Sequence, residues 1–307
     1  MEAGIQRTCI LLFLIALGFL LKTRGVLGRE ERQAISKIYT YITFPAVIIS
    51  SLRSFSRELG MLWLIPLGLA VGLCMMLIVV AACRKKSREE RAFAALNCSA
   101  FSIGAFTLPF LQGYLSPVQL LPVMLYDIGN GIFSFGGTAA GGRMILDGGS
   151  GKRRENPLKQ LVQSVPVWTY LLMLLHGLLR IQLPQQVYAA AEFIGAANPV
   201  LCMLLIGCTL EFSKRPGLLR WIGRLLLVHY ATVFALSVLI YQFLPAAEMI
   251  RSVIIVLLFS PLGLAGLVFT ERFGLDHRAA GILNSLTIII SIAAISILIP
   301  FLGLGAA

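Results

Sequence analysis

Asn97-Cys98-Ser99-Ala100-Phe101-Ser102-Ile103-Gly104-Ala105-Phe106-Thr107-Leu108-Pro109 and Phe259-Ser260-Pro261-Leu262-Gly263-Leu264-Ala265-Gly266 decide how this chain is read. Both stretches lie inside long apolar runs, yet both carry helix breakers. Proline removes a backbone donor and clashes with the preceding turn, and glycine lowers the cost of leaving helical geometry. If such runs cross a bilayer, the interrupted backbone is tolerated only where protein or a wet cavity satisfies its polar groups. One break alone reads first as a simple proline kink, because proline is common in membrane helices. A pair in matching places points to a binding site at the membrane midplane, where half-helix N-termini offer N–H groups and positive dipole ends to an anion.

Composition says that the runs do cross a bilayer. The chain has 307 residues, 58% hydrophobic and only 13% charged, with mean hydropathy +0.86, whereas a soluble domain carries about 25% charged residues. Since a transmembrane helix takes roughly 20 residues, the reading is an all-α integral membrane protein with little length left for a soluble domain. Apolar stretches predict ten spans, near 6–22, 35–54, 61–82, 92–115, 117–141, 164–182, 187–210, 220–244, 248–269 and 279–302. The first is short enough to resemble a secretory signal peptide. Its single preceding Arg7, the lack of a small-residue cleavage pattern, and Lys22 and Arg24 directly after it favour a span.

The net charge of +12 would suggest nucleic acid in a soluble protein. Its placement says otherwise. With ten spans, 21 of the 26 Lys and Arg fall on one face, in the connections after spans 1, 3, 5, 7 and 9, and only Arg7, Arg53, Arg57, Arg180 and Arg251 fall on the other. The positive-inside rule then makes the rich face cytoplasmic and puts both termini outside, in a multi-pass protein of the plasma (inner) membrane. Trp63, Trp168 and Trp221 each fall near a span start, as interfacial indoles do. The six cysteines show no CxxC spacing and read as small apolar packers, with no disulfide or metal site.

The most polar connection, 143–163, falls near the midpoint and reads as a cytoplasmic linker between a first five-helix repeat (1–142) and a second (164–307). Its Gly151-Lys152 fails as a phosphate loop, because Arg153 and Leu146 stand where Ser/Thr and Gly are required. Five spans per half force the second half to insert upside down, which makes an inverted repeat of the kind found in secondary transporters. Phe44-Pro45-Ala46-Val47 and Asn198-Pro199-Val200-Leu201, each followed by a Phe-Ser-basic triplet, echo one another across the halves.

Ionisable and polar residues inside spans are functional candidates because burying them is costly. Asp127 and Asn130 share one face of the fifth span, and ion coupling or a structural hydrogen-bonded pair both fit them. Asn284, Thr287 and Ser291 form a stripe on the tenth span that either faces the crossing or joins helices. His176, His229 and Glu192 lack ligand-like company.

Three segments together resemble the auxin efflux carrier family of secondary transporters: Leu17-Gly18-Phe19-Leu20-Leu21 through Gly25-Val26-Leu27 to Phe44-Pro45-Ala46; Ser102 to Pro109 with Leu111-Gln112; and Pro261 through Phe273-Gly274-Leu275-Asp276 to Asn284-Ser285. The resemblance implies ten helices with both termini outside, broken and crossing helices 4 and 9, and organic-anion substrates such as dicarboxylates or indole acids. It implies a fold related to the bile-acid sodium symporters. It also implies that helices 3–5 and 8–10 form a transport domain that moves, elevator fashion, against a scaffold of helices 1–2 and 6–7, through which the chain could form a homodimer. Ser102 and Thr107 stand where the family commonly has Asn and a second Gly, and Ala265 stands where it has Asn.

The expected partners are a small organic anion and the lipid bilayer, with no nucleic acid. Substrate contacts are expected at Ser102, Gly104, Thr107, Pro109, Ser260, Pro261 and Gly263. Asp127, Asn130, Asn284, Ser285 and Thr287 are expected to couple an ion or lend polar support. No cofactor is expected beyond Na+ or H+ as a coupling ion. A coupled symporter of another solute is the alternative reading. A membrane enzyme finds no support, because no second aspartate completes a dyad with Asp127 and neither an HExxH nor a Gly-x-Ser-x-Gly motif occurs. A channel would need rings or repeated filters.

Overall fold

The computed structural model describes residues 2–117, 119–148, 165–181, 183–211 and 216–304. The body of the 143–163 linker and the triplet Phe212-Ser213-Lys214 lie outside the described residues. Those described are helical, with no strand among them beyond one isolated bridge.

Among the described residues, four helices are long and apolar enough to cross a membrane: Leu59–Ala82, Gln185–Thr209, Gly217–Phe243 and His277–Phe301. Thr8–Thr23 and Val165–Leu178 are shorter apolar helices. The second, fourth and ninth expected spans are each divided. The second runs as α2 (Arg29–Ile38), a π-helical turn Tyr39–Thr43 and α3 (Phe44–Ser51). The fourth runs as α5 (Arg88–Asn97), an extended stretch, a π turn Ile103–Thr107 and the short α6 (Leu108–Leu111). The remaining helices are α1 (Glu2–Thr23), α4 (Leu64–Ala82), α7 (Leu121–Ile132), α8 (Thr138–Asp147), α9 (Val165–Leu178), α10 (Gln185–Gly195), α11 (Asn198–Thr209), α12 (Pro216–Phe243), α13 (Glu248–Leu258), α14 (Leu264–Arg272) and α15 (His277–Phe301).

Local chemistry sets the helix ends. At α5, Ser87 Oγ accepts from the Glu90 N–H while the Glu90 carboxylate accepts from the Ser87 N–H, each at 3.1 Å, a reciprocal capping box. Slight burial raises the Glu90 carboxyl, but hydrogen bonds from Lys86 and Ser87 outweigh it and hold it below the usual carboxylate range. Gly25 ends α1 and Gly274 ends α14, at φ +76° and +70°, a left-handed conformation that costs glycine nothing. The following amide turns back in each case, Val26 N–H to the Leu21 carbonyl and Leu275 N–H to the Thr270 carbonyl, both at 2.9 Å.

Packing sorts the helices into two groups. In one, α1 lies along α11, and α3 packs against α9 and α10. Gly18 and Gly207 face the main chain of the opposite helix, so backbones touch where any side chain would hold them apart. In the other, α4 lies along α7 through Gly68 and Gly129, and α5 packs against α8 and α14, as α12 does against α4, α13 and α15. Each group brings together helices distant in sequence.

Candidate functional site

The two interrupted stretches meet. Phe101 and Leu262 form an antiparallel bridge, in which the Ser102 N–H donates to the Pro261 carbonyl at 2.7 Å and the Gly263 N–H donates to the Ala100 carbonyl at 2.8 Å. Phe101 and Leu262 are both buried, so their remaining main-chain groups also need partners. Asn130 Oδ1 accepts from the Phe101 N–H at 3.0 Å and its Nδ2 donates to the Phe101 carbonyl at 2.9 Å. On the other side, Thr287 Oγ1 accepts from the Leu262 N–H at 3.3 Å and donates to the Asn284 carbonyl at 2.8 Å. A side chain from α7 thus holds one strand of the crossing, and a side chain from α15 holds the other.

Thr107 donates to Ser260 Oγ at 2.5 Å, and both are fully buried. With Pro109, buried in the first turn of α6, they brace the crossing from behind. Two cavities flank it, sharing Ser36, Tyr39, Ser102, Ala105 and Leu264 in their walls. Each lies between the two helix groups.

The first, of about 600 Å³, is lined by Trp168 and Phe135 as well as Gly104, Asp127, Asn130 and Gly263. The Asp127 carboxylate accepts from the Gly104 N–H, from Asn130 Nδ2 at 3.2 Å and from the Tyr170 hydroxyl at 3.2 Å. A Cβ on Gly104 would stand 2.9 Å from Asp127 Oδ2 and 2.6 Å from Phe44 Cζ. The absent side chain is what lets this amide reach the carboxylate. The π turns Tyr39–Thr43, Ile103–Thr107 and Phe133–Gly137 all contribute to the wall of this cavity, and such turns recur at functional sites.

The second, of about 480 Å³, holds Ser102, Pro261 and Asn284, with Lys22, Arg29, Arg32 and Glu211 in its wall. Ser285 stands behind it, accepting from the Glu211 N–H at 2.7 Å and donating to the Gly281 carbonyl at 2.8 Å.

Of the residues expected to touch substrate, Ser102, Gly104, Pro261 and Gly263 line cavities, whereas Thr107, Pro109 and Ser260 are enclosed. The N–H groups of Phe101, Ser102, Gly104, Leu262 and Gly263 already have partners within the protein. Recognition therefore falls to side chains in the cavity walls. Sequence reasoning missed Tyr170 and Arg29; an aromatic in an apolar span and a basic residue in a basic loop carry no signal of their own. It also missed what the Phe44/Asn198 echo does: Thr43 donates to the buried Asn198 Oδ1 at 3.2 Å, and Asn198 Nδ2 donates to Gln112 at 3.0 Å.

His176 meets the Tyr188 hydroxyl at 3.4 Å, and Glu192 pairs with Arg53 at 3.9 Å, both away from the crossing. His229 Nδ1 meets the Cys98 carbonyl at 3.2 Å, where α5 ends.

A family model described as membrane transport protein matches residues 4–135, which carry the first interrupted stretch, Asp127 and Asn130. The match covers less than half of the chain, and over that stretch the chain resembles this family of membrane transport proteins. A protein named uncharacterized transporter from Methanothermobacter thermautotrophicus is 26% identical over 205 residues, 66% of each chain. Another from Methanocaldococcus jannaschii is 24% identical over 248 residues, 75% of this chain and 78% of the relative. The alignments cover about two thirds or more of each relative. These likenesses, with the apolar helices, support a multi-pass membrane protein that acts as a transporter.

Proposed function

We propose that this chain is a member of the auxin efflux carrier family, a secondary transporter that moves a small organic anion of the carboxylate class by elevator-type alternating access, with the substrate bound at the crossing. The observation that carries the reading is the twofold pattern there. Asp127 and Asn130 on one side and Asn284 and Thr287 on the other are both i, i+3 pairs whose second member supports the unwound backbone of one broken helix. That pattern favours ten helices in two inverted five-helix repeats, 1–142 and 164–307, with both termini outside the plasma membrane. The two packing groups favour the transport domain of helices 3–5 and 8–10 and the scaffold of helices 1–2 and 6–7, because both cavities lie between them.

In this reading Ser102, Gly104, Pro261 and Gly263 line the substrate path. Thr107, Pro109 and Ser260 keep its shape, and Asn130, Thr287 and Ser285 hold the supporting backbone. Asp127 takes the coupling Na+ or H+. A coupled symporter of a different small solute is the second reading, favoured by the carboxylate of Asp127 in the larger cavity.

The test is uptake of labelled monocarboxylates and dicarboxylates into proteoliposomes under imposed sodium or proton gradients. Gradient-driven, saturable uptake is expected. Absence of uptake for every anion under every gradient overturns the carboxylate reading.

A further inference from the structure

The two cavities carry opposite charge, although their walls meet at the same residues. Among the described residues lining the larger cavity there is one ionisable carboxylate, Asp127, and no Lys or Arg. Among the described residues lining it, the smaller cavity has Lys22, Arg29 and Arg32 against one acid, Glu211. While Asp127 is ionised and holds no coupling ion, an anion in the larger cavity would sit beside a like charge in a poorly screened setting, where repulsion is strongest. In the smaller one, the basic wall lowers its energy and raises its local concentration.

The three cations are not equivalent. Lys22 Nζ donates to the Leu210 carbonyl at 2.9 Å and Arg32 reaches the Cys208 carbonyl at 3.5 Å, so both are engaged at the C-terminal end of α11. Arg29, at the start of α2, has no hydrogen-bond or ion-pair partner among the described residues.

Deeper in the same cavity is Asn284, only 3% exposed, whose Oδ1 has no hydrogen-bond partner. A buried amide oxygen left unpaired costs about 1–3 kcal/mol, so this amide is incompletely satisfied within the protein. Asn284 holds the place on α15 that Asp127 holds on α7, so the pattern that puts an acid in one cavity puts a neutral hydrogen-bonding amide in the other.

We propose that the charged group of the transported anion is bound in the smaller cavity by Asn284 and Arg29, and that the larger cavity excludes it. This rests on the transporter reading above and adds the location of the charge. Arg29 supplies the cation and a planar donor fork suited to a carboxylate. Asn284 supplies the buried amide, and Ser102 joins the two cavities at the crossing.

The experiment uses the full chain in lipid-free detergent, with the six cysteines replaced and a single reporter cysteine introduced as Leu267→Cys in the smaller cavity or Ile128→Cys in the larger. Each is labelled with an anionic sulfonatoethyl and a cationic trimethylammonioethyl methanethiosulfonate. The anionic-to-cationic rate ratio is expected to be about tenfold higher at position 267 than at 128, the size of one favourable charge contact, and to fall severalfold in Arg29→Gln. Benzoate at tens of millimolar is expected to slow labelling at 267 and not at 128, with the protection lost in Asn284→Ala or Arg29→Gln.

Equal ratios at the two positions, no protection, or protection indifferent to both substitutions would overturn the proposal. If benzoate has no effect in detergent while vesicles rich in anionic lipid suppress labelling, Arg29 faces headgroups and the proposal also fails. Should the cysteine-free chain not fold, the natural Cys202, which lines the smaller cavity, is read with iodoacetate against iodoacetamide and normalised to the exposed Cys9. A ratio at Cys202 no higher than at Cys9 is the overturning result. Charge-selective labelling without uptake counts against the transporter reading alone, and uptake without charge selectivity counts against this inference alone.

Discussion

Asn130 bonds both main-chain groups of Phe101, accepting from the N–H at 3.0 Å and donating to the carbonyl at 2.9 Å. One amide thereby does for an unwound residue what a neighbouring strand does in a sheet. Its two ends match an N–H and a C=O at once, which an ionised carboxylate, having no donor, cannot do. Asn130→Ala leaves two buried polar groups without partners, at about 1–3 kcal/mol each. A clear fall in the thermal unfolding midpoint of the detergent-solubilised protein is expected, with Asn130→Asp in between because it keeps an acceptor. A midpoint unchanged in Asn130→Ala would show that Phe101 is satisfied in another way.

Thr107 and Ser260 are each other's partner in a fully buried setting. Thr107→Val strands the Ser260 hydroxyl and is expected to lower stability by about 1–3 kcal/mol, whereas Thr107→Val combined with Ser260→Ala removes both polar groups and recovers much of the loss. A double-mutant cycle by denaturant titration checks this. Strict additivity would mean that the hydroxyl pair contributes nothing jointly.

Gly104 makes room for the contact between its own amide and Asp127. Gly104→Ala puts a methyl 2.9 Å from Asp127 Oδ2 and 2.6 Å from Phe44 Cζ, so the carboxylate must shift. The expected outcome is a protein that still folds, because only a side chain has to move, but loses gradient-driven uptake. Uptake at the natural rate would show that the carboxylate position is immaterial.

Asp127→Asn keeps the volume and an oxygen that accepts hydrogen bonds while removing the charge. If Asp127 takes the coupling ion, uptake down a substrate gradient survives and the response to an imposed sodium or proton gradient disappears. If Asp127 serves only the Asn130 and Tyr170 hydrogen bonds, the gradient response persists and stability changes instead.

The capping box at α5 gives a pH dependence with a definite sign. The Glu90 carboxyl lies lower in the folded protein than in the unfolded chain. Its contribution is therefore complete above the ordinary Glu range and disappears as pH falls through the folded value. Ser87→Ala is expected to cost about 1 kcal/mol at neutral pH, while Lys86→Met, which removes the leading hydrogen bond and its charge, is expected to weaken the acid-side dependence, as unfolding midpoints measured across acidic pH would reveal. An undiminished dependence in Lys86→Met would assign it to another carboxylate.

Sequence alone determined that this chain belongs in a membrane and where two of its helices are interrupted, because mean hydropathy, the separation of basic residues and the Gly/Pro positions in 97–109 and 259–266 are local properties of the chain. It also marked Asp127 with Asn130 and Asn284 with Thr287, because polar residues one helical turn apart in an apolar run are visible by spacing. Tertiary structure alone decided what those residues do. Phe101 meets Leu262 across 161 positions of sequence, and only that contact turns two kinks into one crossing whose amides are already occupied. The same packing placed Arg29 and Asn284 in one cavity and Asp127 in the other. Charge and hydrogen-bonding capacity are written in the sequence, but which groups face one another depends on long-range packing, which no local pattern encodes.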